Sequence, residues 1–252
     1  MILNPRQQEI LRHVRTASGE SLQELCERFG VSVATMRRDL AKLEELGLLR
    51  RVRGGALPPG QDVNIPLPED RETQHLEEKR RIAEAAAAMV TDGSIIMLDA
   101  GTTTKQMIPY LAERRNLTVL TRDLLIANRL TDYPQITTIF VGGTVQRSGA
   151  VAGSLALRFL EQFYVDQMFL GVLGVSASTG IWTANGEEAL VKLDVMRRGR
   201  LRVILADGSK VGRTGGTLVA PAGEAHVLIT DSSVPASEAS AFEQLGLTVK
   251  LV

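Results

Sequence analysis

The chain has one cysteine in 252 residues, Cys26, and only three histidines, His13, His75 and His226, on separate segments. That excludes a disulfide framework, and nothing has the ligand spacing of a metal site. Aromatic residues make up 4% of the chain, which leaves few platforms for stacking single-stranded bases. No apolar run approaches the roughly 20 residues of a membrane span. The opening Met1-Ile-Leu-Asn-Pro-Arg6 lacks the charged-then-apolar layout of a signal peptide, so a soluble cytoplasmic protein is the expectation. Net charge is absent too. With 29 Lys+Arg against 29 Asp+Glu, no global field draws the molecule onto nucleic acid or membrane. The rest is 44% apolar and 23% charged, enough to bury a full core in one large or two unequal domains.

The charge is uneven along the chain. Residues 1–57 carry ten basic side chains against seven acidic, or +3, leaving 19 against 22, or −3, for residues 58–252. At the junction, Leu57–Pro68 holds four of the nine prolines. Proline removes a backbone donor and fixes φ, so residues 58–70 read as a stiff linker. It joins a domain over 1–57 to a larger one over 71–252.

The first domain reads as three short helices and a basic hairpin. Pro5 opens the first, with Ile10, Leu11 and Val14 as its apolar side. Ser21-Leu-Gln-Glu24 is a capping box for a helix over Leu22–Phe29, which ends at Gly30. Ser32 caps a third helix running to Leu46 and stopped by Gly47. The short gap between the second and third helices is that of a helix-turn-helix. Met36, Leu40 and Leu43 form the buried side of the third helix. Ala34, Arg38, Ala41 and Glu45 lie opposite, flanked by Arg37 and Lys42. Small residues with paired arginines near its N-terminal end let such a helix enter a DNA major groove, where arginine reads guanine or holds phosphate. Leu48–Ala56 reads as a hairpin whose Arg51 and Arg53 reach the DNA backbone or minor groove as a wing. A solvated basic face would be the plain alternative; the coincidence of cap, turn, periodicity and Arg-rich hairpin favours double-stranded DNA.

Past the linker, continuous apolar strands alternate with helices: a helix over Leu76–Val90, then strands at Ile95–Leu98, Leu117–Thr121, Ile136–Val141, Met168–Val172, Leu201–Ala206, Val227–Ile229 and Thr248–Leu251. The expected helices between them are near Lys105–Ala112 and at Leu124–Leu130, Leu155–Phe163, Glu187–Arg198 and Glu238–Leu245. The fold class is α/β, a mostly parallel sheet covered on both faces. Ligands of such sheets bind beyond the carboxyl ends of the strands, and polar residues gather at those ends. Asp99 leads into Gly101, Thr102, Thr103 and Thr104, which offer backbone N–H groups and hydroxyls to an anion. Arg122 follows Thr121, Gly143 follows Val141, and Asp207 and Lys210 follow Ala206. Glu187 opens a helix that carries Lys192 one turn on. Each has a plain reading as cap, turn or solvated charge, but their convergence suits a phosphorylated polyol or sugar.

These residues resemble the DeoR family of bacterial transcriptional regulators over nearly the whole chain. The stretches that carry the resemblance are Gly30–Leu49, Arg53-Gly-Gly-Ala56, Glu78-Lys79, Asp99–Thr104, Val141-Gly-Gly143, Glu187-Glu-Ala189 with Lys192, and Asp207–Lys210. The resemblance implies a winged helix followed by a sensor domain similar in fold to ribose-5-phosphate isomerase. It further implies repression of a sugar-catabolism operon, relieved by a phosphorylated intermediate. Ser32, Thr35, Arg37 and Arg38 fall on the family's DNA-recognition motif. Asp99, Gly101–Thr104, Asp207 and Lys210 fall on its effector-pocket motifs. Two positions depart from the pattern. Arg122 stands where asparagine is common, and Gly208 where serine or another polar residue is common. Arg122 at the rim could hold a second anionic group; the plainer and preferred expectation is that it turns outward to Asp123 or solvent.

The mechanism expected is a two-state switch in a homodimer or homotetramer. A phosphate would sit on Gly101–Thr104, with Asp99, Asp207 and Lys210 on hydroxyls or a carbonyl. The binding must favour the state that fits DNA poorly. The alternative is an active sugar-phosphate isomerase fused to a DNA-binding module, which would need a carboxylate base such as Asp99, Glu187 or Asp207. No cofactor and no metal is expected.

Overall fold

The computed structural model describes residues 3–16, 20–46, 48–52, 55–57 and 68–252. Its two compact units divide between Ile65 and Pro66. In the smaller unit Pro5 begins α1 (Pro5–Thr16), at a first-turn position whose N–H would have no intrahelical partner. Next come α2 (Leu22–Phe29) and α3 (Val33–Glu45). Gly30 turns between them at φ +61°, a left-handed conformation that glycine adopts most cheaply. The Ser32 Oγ accepts a hydrogen bond from the Thr35 N–H at 3.3 Å and so caps α3. Met36, Leu40 and Leu43 pack with Ile10, Val14 and Leu25 as the core.

The expected hairpin is part of a larger sheet. Glu20–Ser21 (β1), Arg50–Val52 (β2) and Gly55–Leu57 (β3) form an antiparallel sheet in the order β1-β3-β2. A two-residue strand carries too little alternation to be read from sequence. The Ser21 side chain expected in the capping box, Gly47 and Arg53 lie outside the described residues. Asp39 joins α3 to α1, accepting from Arg6 Nε at 2.8 Å and Gln7 Nε2 at 2.9 Å while itself buried.

Residues 58–67 of the expected linker lie outside the described residues. Pro68 opens a six-residue helix, α4 (Pro68–Thr73), where the sequence suggested continued linker. Then come α5 (Leu76–Ala87) and β4 (Ile95–Leu98). The single helix expected near Lys105–Ala112 is two turns, α6 (Thr102–Lys105) and α7 (Ile108–Leu111). Pro109 has no N–H to return to the Lys105 carbonyl, so the helix breaks there.

The chain continues through β5 (Thr118–Thr121), α8 (Leu124–Leu130), β6 (Thr137–Phe140) and the short strands β7 (Thr144–Val145) and β8 (Val151–Ala152). After α9 (Ser154–Leu160) come β9 (Val165–Gly171), β10 (Gly174–Ser176) and β11 (Gly180–Thr183). The remainder is α10 (Gly186–Arg198), β12 (Gly199–Leu205), β13 (Thr217–Ala220), β14 (Val227–Thr230), α11 (Ala236–Gln244) and β15 (Thr248–Leu251).

Seven strands form one parallel sheet in the order β15-β14-β12-β9-β4-β5-β6. Alternate residues feed two cores. Ile96 and Leu98 face α5, α7 and α8, whereas Met97 faces the side of α9, α10 and α11. Burial on both faces explains the continuous apolar runs. The short antiparallel sheet β10-β11-β13 and the pair β7-β8 lie outside this layer. The chain builds β5 and β6 to one side of β4 and β9, β12, β14 and β15 to the other. A crevice for ligands forms at the carboxyl ends of strands where the order turns in this way.

Candidate functional site

In the smaller unit, α3 presents Ala34, Arg37 and Arg38 to solvent, opposite the core residues Met36 and Leu40. Ser32 and Thr35 face each other, Oγ to Oγ1 at 3.0 Å, so both hydroxyls serve the cap. Lys42 is half-buried. Arg51 is tied to α3 from the sheet: its Nε lies 2.6 Å from Glu44 Oε2, and its backbone N–H donates to Glu44 Oε1 at 2.8 Å. That tie fixes the strand relative to the exposed arginines.

In the larger unit, β4 and β5 run in parallel with Leu98 opposite Thr121. The next residues, Asp99 and Arg122, are therefore neighbours. Arg122 is wholly buried and does not turn outward as expected. Its Nε donates to Asp99 Oδ1 at 2.6 Å, and its Nη1 to the Val151 carbonyl at 3.1 Å. The second carboxylate oxygen accepts from Lys192 Nζ, which also donates to the Gly171 carbonyl at 2.7 Å. Burial pushes the Asp99 carboxyl upward, but the charges of Arg122 and Lys192 outweigh it and hold it below the ordinary carboxylate value. Burial drives Lys192 the other way, below the usual lysine value, against the pull of Asp99. The charge of Glu188 acts on both cations.

Beside this buried triad is a small cleft lined by Gly101, Thr102, Lys105, Asp123, Ser148 and Glu188, with Arg71 and Glu72 of α4 on its wall. Its open volume is about 60 Å³, against the roughly 300 Å³ at which ligand pockets begin. Of the threonines, Thr102 reaches the cleft. Thr104 ties its own loop by donating to the carbonyls of Asp99 at 2.7 Å and Gly101 at 2.8 Å. Thr103 is buried with its hydroxyl unpartnered. Because α6 is a single turn, little dipole accumulates there, and Lys105 and Arg71 are the positive side chains on the wall. Burial lowers its pKa, opposed by the charge of Asp123. Asp123 caps α8 through the N–H groups of Leu125 and Ile126, and its burial raises its own pKa.

Of two adjacent glutamates, the structure brings Glu188 to this cleft and not the expected Glu187. Glu187 is exposed and accepts from Gln146 Nε2 at 2.9 Å, whereas Glu188 lines the cleft and accepts from Thr183 Oγ1 at 2.9 Å. Gly143 has a packing reason: at φ +153°, a Cβ there would meet Val151 Cγ1 at 2.7 Å. Lys105, Asp123 and Ser148 were not singled out either. Their sequence signal was only proximity to strand ends.

A second cluster forms beyond β12. Asp207 is buried, with Lys210 Nζ 3.1 Å from its Oδ2 and Ser209 donating to its Oδ1. At Gly208 a Cβ would lie 2.1 Å from Ser233 Oγ, so a side chain there would displace that hydroxyl. Lys79, on the buried side of α5, completes the group. It donates to the carbonyls of Arg71 and of Gln74, the latter at 2.6 Å. The sequence signal was a lysine in phase with Ile82, Ala83 and Ala86.

Burial, reinforced by the charge of Lys210, lowers the Lys79 pKa to about 8. Below pH 8 both folded and unfolded chains carry the proton, and folding bears the full cost of the buried charge. As pH rises towards the ordinary lysine value, the folded form releases its proton first and gains stability. Relative to Lys79→Met, the native chain is expected to gain up to about 3 kcal/mol between pH 8 and 10.5. Denaturant melts followed by Trp182, the one tryptophan, report on this unit. Parallel pH profiles for the two proteins would refute the assignment.

A helix-turn-helix unit with an arginine-bearing helix, joined in one chain to an α/β unit with a charged crevice, defines a DNA-binding regulator with a sensor module. Residues 6–61 match the family model described as the DeoR-like helix-turn-helix domain, and residues 74–232 match the DeoR C terminal sensor domain. The chain belongs to the DeoR family of transcriptional regulators. It is 35% identical over 250 residues to the HTH-type transcriptional regulator YgbI of Escherichia coli strain K12, covering 99% of this chain and 98% of that one. It is 32% identical over 233 residues to the glycerol-3-phosphate regulon repressor of the same strain, covering 92% of each. Among solved structures, ribose 5-phosphate isomerase A from Methanocaldococcus jannaschii has a TM-score of 0.42 at 20% identity, covering 54% of this chain and 55% of that one. Family membership makes the protein a transcriptional regulator and not an isomerase. No helix among the described residues is long and apolar enough to cross a membrane.

Proposed function

We propose that the protein represses a sugar-catabolism operon in the cytoplasm, bound to double-stranded operator DNA as a homodimer or homotetramer. A phosphorylated sugar or polyol releases it. Arg37 and Arg38 of α3 read the major groove, supported by Ser32, Ala34, Thr35 and Lys42. Arg51 of β2, together with Arg53, holds the DNA backbone. Support for the effector class comes chiefly from one observation: Lys105, Thr102 and Gly101 share a cleft with Asp123, Ser148 and Glu188. The first set suits a phosphate and the second suits hydroxyls. Asp99 has both oxygens occupied by cations, so it positions Arg122 and Lys192 and leaves ligand hydroxyls to Glu188 and Asp123. Asp207 and Lys210 border the same strand ends. The relative named for glycerol-3-phosphate fits a small phosphorylated ligand.

The test is a thermal-shift screen of sugar and polyol phosphates against their unphosphorylated parents. A ligand at a hundred times its Kd adds about 2.7 kcal/mol of stability, and only phosphorylated compounds are expected to do so. Equal shifts from the parent sugars, or none from any phosphate, would contradict the effector class.

A further inference from the structure

On the reading that the cleft takes a phosphorylated effector, we infer that Glu72 is a built-in stand-in for the ligand's phosphate and that α4 is a strap displaced when the ligand arrives. α4 has six residues, too few to hold a helix without tertiary ties. Two lysines contribute to them. Lys105 forms an ion pair with Glu72, and Lys79 donates to the carbonyls of Arg71 and Gln74, on either side of Glu72 in the chain. The Glu72 carboxylate thus occupies one of the two cations, Lys105, that the cleft wall would offer to an anion. Glu72 and Arg71 also form part of the wall that leaves the cleft so small.

A phosphate carries about 1.5 to 2 negative charges at neutral pH. On Lys105 it outcompetes one carboxylate and repels it. Glu72 then leaves, the cleft opens, and α4 loses its tie to Lys105. Lys79 keeps its hydrogen bonds to Arg71 and Gln74, so the strap loosens without the unit unfolding. In the chain α4 follows directly on residues 58–67, which lead back to the helix-turn-helix unit. Loosening it alters the attachment of the segment that carries the DNA-binding half, which gives the ligand a route to the operator affinity.

The experiment uses the full chain, Glu72→Gln and Lys105→Met, with inorganic phosphate as the probe. Calorimetry gives the phosphate affinity, and amide hydrogen exchange follows residues 69–74. An ion pair of this exposure competes by about two- to fivefold. Glu72→Gln is therefore expected to bind phosphate tighter by that factor and to exchange faster at 69–74 before any phosphate is added. In the native chain phosphate is expected to speed the same exchange. If phosphate binds the native chain and is lost in Lys105→Met, yet Glu72→Gln changes neither affinity nor exchange, the strap is overturned and the cleft stands. If neither the native chain nor Glu72→Gln binds phosphate, or if binding survives Lys105→Met, the cleft reading falls and the strap with it. A melt of each variant checks that it is folded.

Discussion

Asp99→Ala is expected to destabilise the α/β unit by about 3–5 kcal/mol, because it strands two buried cations that now share one carboxylate. Arg122 is wholly buried and Lys192 nearly so, at 3% side-chain exposure, and solvent cannot replace the lost charge. At roughly 2–4 °C per kcal/mol for a unit of this size, the melting temperature should fall by more than about 6 °C. Replacing all three residues, Asp99→Leu with Arg122→Met and Lys192→Met, should recover most of that loss, since hydrophobic substitutes for a buried ionic cluster are often neutral. A single-site loss under about 1 kcal/mol would mean that water reaches the triad. The pH dependence follows from the depressed Asp99 carboxyl. Its stabilisation is complete above the ordinary carboxylate value and is lost as pH falls through the lower folded value. Asp99→Ala should therefore lose part of the acid sensitivity of the native chain.

That triad also shows where the sequence stops being legible. Asp99 and Arg122 were both recognised as polar residues at strand ends. Their pairing depends on a parallel register of Leu98 with Thr121, and Asp123 was the nearer partner along the chain. Lys192 arrives from a helix 93 residues away, a contact that no local pattern encodes. The parallel strands were legible because burial on both faces leaves long apolar runs. The strands β1, β7 and β8 have two residues each, too few for a period to register. The break between α6 and α7 was legible in principle, from Pro109. That Glu188 and not Glu187 lines the cleft was not legible, because one residue rotates a helical side chain by 100°, and only the packed structure says which direction faces the cleft.

Arg38→Ala is expected to cost about 1–3 kcal/mol of specific DNA binding and to relax the preference at one base position. Arg38 is exposed on α3, turned away from the buried Met36 and Leu40, so its removal leaves the fold intact. Arg51→Ala should behave differently. It should weaken binding to all sequences alike and flatten the salt dependence, as loss of a phosphate contact does. The Arg51–Glu44 pair is about half-exposed on the arginine side and adds little stability of its own. Selection from random duplexes followed by anisotropy titrations at two salt concentrations separates the two effects. Unchanged affinity and unchanged preference in Arg38→Ala would remove α3 from base reading.

The central claim joins the two halves: a phosphorylated ligand in the α/β unit lowers the affinity of the helix-turn-helix unit for its operator. The direct measurement is the affinity of the full chain for its selected duplex, with and without the compound that gives the largest thermal shift. The expected result is weaker binding with the phosphorylated compound and no change with its unphosphorylated parent. Unchanged DNA affinity at saturating ligand would contradict the claim, because a ligand with equal affinity for both states shifts nothing.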